Sequence, residues 1–306
     1  MAKVFVTGVA GCIGAWVARH LLEEGHEVVG VDASEEVHRL RLVGVAGAFP
    51  LYRLDVRDFD GLRAVVARER PDGLIHLAAL QVASCRADPR LCSEVNVGGM
   101  LNILEVARVF ELPLSYASSA AVYGPDLGGP LSEWEGVKPQ TLYGVFKRTN
   151  EEMARIYYQD WGIPSAGFRP YVVYGPGRDA GITSDITVAL LHAARGEPFR
   201  IRFGGRVALQ HVSDVARAFI AATLRPPSGA AVYNLRGHCE RVADVVETIG
   251  AVTGASGLVT YDEQPLPIAA DLEEGAFQRD YGPLRHMPLE EGFRKTLEVW
   301  REGGYL

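Results

Sequence analysis

The segment that most narrows what this chain can fold into is Thr7-Gly8-Val9-Ala10-Gly11-Cys12-Ile13-Gly14. An apolar, β-branched run at 3–7 precedes it and a helical pattern at 13–24 follows. A strand that turns through glycines into a helix opens a βαβ unit. Gly8 then allows the turn, Gly11 the close approach of a diphosphate, and Gly14 tight packing of the helix. The helix start, at Cys12 and Ile13, offers free N–H groups and positive potential to an anion. Asp32 follows the next strand, at 27–31, where a carboxylate accepts from ribose hydroxyls and repels a 2′-phosphate. NAD is therefore expected over NADP. A Gly-rich turn without a ligand is the plain alternative, and the flanking strand, helix and Asp32 weigh against it. Asp55-Val56 follows another strand end, either facing the adenine or lying in an exposed loop. Cys12 reads as a small packed thiol.

The same alternation continues. Strands are expected at 51–54, 74–77, 114–117 and 166–173, and helices at 62–69, 91–110 and 141–161. This pattern predicts an α/β fold of the Rossmann type, a doubly wound, mostly parallel sheet with helices on both faces. Gly175-Pro176-Gly177 breaks the order. The division expected is an NAD-binding domain over 1–175, with some later segments returning to it, and a smaller α/β substrate lobe over 176–306. At 48% hydrophobic and 23% charged residues over 306 positions, the chain is neither disordered nor fibrous. Its 31 basic and 38 acidic residues leave a net charge of −7 with no basic block, so nucleic acid is not an expected partner. Cys12, Cys85, Cys92 and Cys239 show neither a C-x-x-C pair nor a secreted disulfide framework. No apolar stretch reaches the ~20 residues of a membrane span. A soluble cytoplasmic protein without a metal is expected.

Tyr143 and Lys147 lie four apart in the 141–161 helix and share a face. An ammonium beside a phenol stabilises the phenolate, lowering its working pKa from ~10 toward neutrality. Such a tyrosine can take or return the proton of a substrate hydroxyl while a nicotinamide exchanges hydride. Ser118-Ser119, at the carboxyl end of a strand, adds a hydroxyl donor or, on the plainer reading, a helix or turn cap.

Taken together these pieces resemble the extended short-chain dehydrogenase/reductase superfamily, in its NAD-dependent epimerase/dehydratase branch. The matching segments are 7–14, Asp32, Asp55-Val56, His76-Leu77-Ala78-Ala79, Asn96-Val97-Gly98-Gly99, 118–124, Tyr143 to Lys147, 174–177 and 211–216, in the family's order. The segment from Leu289 resembles the family's closing helix. The resemblance implies that Tyr143 is the acid/base, that Lys147 orients the nicotinamide ribose and tunes Tyr143, and that Ser119 bonds the reacting oxygen. It also places Leu77, Ala78, Ala79, Tyr171 and Val173 beside the cofactor and Asn96 in a structural role. A homodimer built on the helices at 91–108 and 142–160 is implied, as is a sugar or sugar-derived substrate.

The chain departs from that pattern at the substrate. Nucleotide-sugar epimerases usually carry Asn where Val172 stands and Arg where Val207 stands, and here Arg206 lies one residue earlier. A further Arg upstream of Asp271 is missing among Pro265, Pro267 and Ile268. An Arg fork suits a diphosphate and a valine cannot replace it, although Arg178, Arg202 or Arg206 could compensate. Ala120-Ala121 occupy the place of the Asp-Glu pair of sugar dehydratases, which disfavours dehydration. Gln81, Ser118, Ser119, Arg178, Thr183 and Arg206 are the substrate candidates; Cys85, Arg86, Asp179 and Ser184 are further pocket or loop residues. His76 and His211 read as structural. The motifs leave open an epimerase, a dehydrogenase of a small non-nucleotide sugar, uronate or hydroxy acid, a nucleotide-sugar 4-epimerase, and a non-catalytic NAD sensor.

Overall fold

The computed structural model describes residues 1–125 and 129–306. Its strands, in chain order, are β1 Lys3–Thr7, β2 Glu27–Asp32, β3 Leu51–Arg53, β4 Gly73–His76, β5 Leu114–Ala117 and β6 Ser165–Arg169. They continue as β7 Val172–Tyr174, β8 Phe199–Ile201, β9 Arg206–His211, β10 Ala230–Asn234, β11 His238–Arg241 and β12 Val259–Tyr261. Seven of them form one parallel sheet in the order β10-β6-β5-β4-β1-β2-β3. Connectivity reverses between β1 and β4, the point where ligands settle outside the carboxyl ends of such sheets. Register brings Thr7 opposite both Val31 and His76, and His76 opposite Tyr116, so the strand ends share one rim.

Alternation along each strand divides the core. Val4, Val6, Val28 and Ile75 face helices Cys12–Glu23 and Val212–Leu224. Phe5, Val29 and Leu74 face the other way, onto helices Phe59–Glu69, Gly99–Phe110 and Leu142–Trp161. Burial on both faces explains the near-continuous apolar runs in the sequence. Helix Leu142–Trp161 starts where Thr141 Oγ1 accepts from the Gly144 N–H at 3.1 Å and ends at Gly162, whose φ of 70° is a left-handed cap.

Two expected elements divide. The run at 166–173 becomes β6 in the large sheet and β7 in a small one, because Pro170 has no N–H for a ladder. Tyr171 N–H goes instead to the Gln210 side chain at 2.8 Å. The expected helix at 91–110 opens with Pro89–Ser93, widens into a π-helical turn at Glu94–Gly98 and continues as Gly99–Phe110.

The chain leaves the large sheet after Arg169 and returns with helix Val212–Leu224 and β10. The remainder builds a sheet in the order β11-β9-β7 and a β8–β12 pair. Helices Asp185–Ala194, Val242–Thr253 and Leu289–Glu302 close on its core of Val172, Leu190, Phe203, Leu209, Ile249, Phe293 and Trp300.

Cys85 and Cys92 are joined in a buried disulfide, a correction to the unpaired cysteines that the spacing suggested. The link works because Asp88 and Pro89 fold the short helix Val82–Ala87 back onto Pro89–Ser93, bringing the two Cα atoms to 4.9 Å. Among the described residues no helix is long and apolar enough to cross a membrane, and no group of three or more His, Cys, Asp or Glu could hold a metal ion.

Candidate active site

A cavity of about 600 Å³ follows the rim of the large sheet from the glycine loop to Tyr143, a volume ordinary for small-molecule sites. Gly8 adopts a φ of 70°, and a Cβ there would lie 2.6 Å from Ala78 N. Gly14 packs on the loop, where a Cβ would come 2.7 Å from Val9 Cα. At Gly11 a Cβ would meet only Gly8 O, at 3.0 Å, and the residue lines the cavity. Gly11 is also the N-cap of helix Cys12–Glu23 and caps it with no side chain, leaving its first N–H groups to whatever enters. Asp32 accepts from Ala10 N–H at 3.0 Å and Ser34 N–H at 2.9 Å. This cradle fits a dinucleotide diphosphate with its ribose on Asp32.

Ile13, Asp55, Val56, Leu77, Ala78, Ala79, Tyr171 and Val173 line the same cavity. Asp55 is engaged by Arg57, whose hydrogen bonds hold its carboxyl below the usual range. Cys12 lines it as a protonated thiol, which burial pushes up to about 12 against the pull of Arg178 and Arg39.

At the other end three successive residues of the β5 tip meet three residues one turn apart on helix Leu142–Trp161. Lys147 Nζ donates to Ala117 O at 2.6 Å, Ser118 Oγ donates to Glu151 Oε1 at 2.5 Å, and Ser119 and Tyr143 line the cavity together. Ser119 Oγ also accepts from Ala121 N–H at 3.1 Å, the cap that the plainer reading expects. Burial, the largest influence, raises the Tyr143 phenol above its ordinary value, while Ser119 and Arg178 act to lower it. Lys147 Nζ lies over the Tyr143 ring, 5.6 Å from its centroid, while it donates to the Ala117 carbonyl. Burial lowers Lys147 to about 8, opposed by Glu151.

The substrate candidates separate. Gln81, Arg178 and Thr183 line the cavity. Arg178 donates to Thr183 Oγ1 at 2.7 Å, and its Nε is buried without an acceptor among the described residues. Ser118 also lines the cavity, with its hydroxyl donating to Glu151. Arg206 is 53% exposed beside Asp271, 3.8 Å away, and outside the cavity wall. One register step on β9 puts the neighbouring Val207 inward and Arg206 outward. Leu266 and Ile268 supply apolar wall in its stead. His76 Nδ1 meets Thr7 Oγ1 at 2.7 Å, and His211 caps helix Val212–Leu224, both structural as read. Asn96 brackets Leu80, accepting from its N–H at 2.7 Å and donating to its carbonyl at 3.0 Å.

Sequence reasoning did not find Glu151, Arg169 or Arg39. Arg39 spans from the loop carbonyl of Ala10 to Gly177 O and Asp179, which no spacing rule connects.

A family model described as the NAD dependent epimerase/dehydratase family matches residues 4–235. Protein CapI of Staphylococcus aureus is 35% identical over 184 residues, a match spanning 57% of this chain and only 55% of that protein. The UDP-glucose 4-epimerase of Mycolicibacterium smegmatis is 29% identical over 315 residues, covering 98% of each. Among solved structures, the Thermus thermophilus UDP-glucose 4-epimerase in complex with NAD is 26% identical with a TM-score of 0.86, covering 98% of this chain and 99% of that one.

Proposed function

The chain belongs to the NAD dependent epimerase/dehydratase family, and from that premise we propose that Tyr143, Lys147 and Ser119 carry out NAD-dependent oxidation and reduction at a hydroxyl-bearing carbon of a sugar or sugar derivative. The observation that carries this reading is that Ser119, Tyr143 and the buried Lys147 line one end of the cavity whose other end is the glycine loop. Bound NAD supplies the hydride acceptor.

Tyr143 Oη takes the proton of the substrate hydroxyl in the oxidising direction and returns it in the reducing one. Ser119 Oγ holds the same substrate oxygen. The Lys147 ammonium favours the phenolate once Tyr143 gives up its proton. Burial keeps Tyr143 protonated at rest, so it is poised as an acid for reduction, and in the oxidising direction the phenol first releases its own proton to solvent before taking that of the substrate. Ala120 and Ala121 place no carboxyl beside the substrate, so elimination has no acid or base there. Epimerisation returns the hydride to the opposite face, and net oxidation releases the oxidised product; both use the same three side chains.

The relatives named UDP-glucose 4-epimerase support a nucleotide-sugar substrate. A second reading, a small non-nucleotide sugar, uronate or hydroxy acid, draws on the apolar wall of Leu266 and Ile268 and on Arg206 lying outside the cavity. In it, the buried Nε edge of Arg178 meets an anionic group of the substrate. The deciding experiment follows reduced-nicotinamide absorbance with NAD and a panel of free sugars, uronates, polyols, hydroxy acids and nucleotide sugars. A steady rise identifies a dehydrogenase and its substrate class. A flat trace with inverted product stereochemistry identifies an epimerase, and neither signal with any compound overturns the reading.

The enzyme acts as a homodimer in the cytoplasm, where NAD is held. Leu101, Val109, Leu142, Val145, Ile156 and Trp161 leave an apolar face exposed on helices Gly99–Phe110 and Leu142–Trp161, suited to a second copy of the same pair. Light scattering that gives a monomer mass would refute the dimer, and cell fractionation tests the location.

A further inference from the structure

Tyr143, Lys147 and Glu151 stand one turn apart on a buried stripe of helix Leu142–Trp161, and the reading above uses only the first two. Glu151 is 3% exposed, yet its carboxylate is fully engaged. Oε1 accepts from Ser118 Oγ at 2.5 Å and Arg169 Nε at 2.7 Å. Oε2 accepts from an Arg169 terminal nitrogen at 2.7 Å and one of Arg148 at 2.9 Å. Arg169 is itself 0% exposed and also reaches Tyr123 Oη and Glu133 O, both at 2.7 Å.

A buried acid held by two arginines is a poor source of stability in itself, because desolvation offsets most of the attraction. Its position shows another use. Ser118 lies between Ala117, whose carbonyl receives Lys147, and Ser119, which lines the cavity with Tyr143. Glu151 therefore fixes the middle of a three-residue seam whose outer members are the site itself. It is also the carboxylate one turn from the Lys147 ammonium.

We propose that Glu151 is a positioning residue: its carboxylate keeps Lys147 protonated and its bond to Ser118 holds Ser119 in register with Tyr143. The inference rests on the proposed roles of those three residues. The groups facing this cluster are consistent with it. On the helix itself these are Tyr143, Arg148 and Glu152; from β4 comes His76, which burial lowers to about 3, so it stays neutral. β5 contributes Tyr116, a phenol that burial keeps neutral, and β6 contributes Arg169, whose charge Glu151 already neutralises. Among the described residues Glu151 is then the anion that offsets the loss of solvent around Lys147, which burial lowers to about 8.

The test uses the side-chain resonances of Lys147, identified by their loss in Lys147→Met; the other lysines are Lys3, Lys138 and Lys295. Glu151→Gln in the full chain should lower the Lys147 titration midpoint by about one pH unit. Ser118→Ala, which breaks the seam but leaves the charge, should leave the midpoint unmoved and lower turnover. Glu151→Asp should retain the wild-type midpoint with reduced turnover. A Glu151→Gln midpoint equal to the wild type overturns the proposal, since a merely structural acid would change stability alone. If that variant does not fold, Ser118→Ala decides, and turnover equal to the wild type there overturns the proposal. Because the midpoint is read without substrate, a chain that turns over nothing in the panel refutes the functional reading while the titration still decides this inference.

Discussion

Arg39 and Asp179, 140 residues apart, close the mouth of the cavity with two hydrogen bonds, Nε to Oδ2 at 3.2 Å and a terminal nitrogen to Oδ1 at 2.5 Å. The same guanidinium donates to Gly177 O at 3.0 Å and Ala10 O at 3.4 Å, so one side chain ties the glycine loop to the turn beyond β7. Burial pushes the Asp179 carboxyl up, but hydrogen bonds from Arg39 and His38 outweigh it and hold it below its usual range. Arg39→Ala should free both walls and weaken NAD binding about tenfold, a loss of ~1–2 kcal/mol. Calorimetric titration that finds unchanged affinity would show that the clamp does not shape the cofactor site.

Tyr143→Phe removes one oxygen from a buried ring and leaves the cavity's shape. Turnover should fall about 1,000-fold, within the range of general acid–base catalysis, while NAD affinity stays within about twofold of the wild type. Ordinary activity in this variant would sink the proposed chemistry. NAD binding by a wild type that turns over none of the panel would point to a sensor.

These residues were legible because their chemistry ties residue type to short spacing. Gly8, Gly11, Gly14 and Asp32 belong to one βαβ unit, and Tyr143 and Lys147 to one helix turn. What stayed hidden depended on distance in the chain or on orientation. Arg206 was a fair substrate candidate until β9 paired with β7 and β11, which fixed Val207 inward and Arg206 outward. Ser118 and Ser119 look equivalent as a dipeptide, yet one donates to Glu151 and the other accepts from the Ala121 N–H. The position of Glu151, four after Lys147 on a buried stripe, carried a signal that could have been used. The Arg39–Asp179 clamp and the Cys85–Cys92 link carried none, since both depend on how loops fold back.

Gly8 offers a test of the loop's backbone. Its φ of 70° and the 2.6 Å that would separate an alanine Cβ from Ala78 N combine strain with a clash against the backbone just beyond β4. Gly25 has a similar φ of 77° and open space around it. Gly25→Ala should cost only the conformational penalty, ~1 kcal/mol, and Gly8→Ala ~3 kcal/mol or more because the loop must also move. Denaturant unfolding measures both. Equal losses would mean that the contact with Ala78 relaxes without cost.

His76 and His211 set the acid limit of the fold. Both are buried, and burial, the largest cause for each, lowers them from 6.5 to about 3, with Lys147 adding to the effect at His76 and Lys295 at His211. A histidine whose folded pKa is depressed binds more protons when unfolded. Its stabilising contribution is therefore present above the unfolded value and is lost as pH falls from about 6.5 toward 3. At pH 5 each accounts for ~2 kcal/mol of lost stability. His76→Gln keeps a partner for Thr7 Oγ1 and removes one titrating ring, so its stability should fall less steeply over that window. Chemical denaturation at a series of pH values reads the slope, and a His76→Gln slope equal to that of the wild type would mean that His76 is not buried neutral. Lys147 works at the opposite end with the opposite consequence. Its folded pKa of about 8 lies below its ordinary 10.5, so raising pH through 8 removes the ammonium and turnover while relieving the cost of burying a charge. Activity lost near pH 8 should then come without unfolding, and a melting temperature that falls in step with turnover would contradict it.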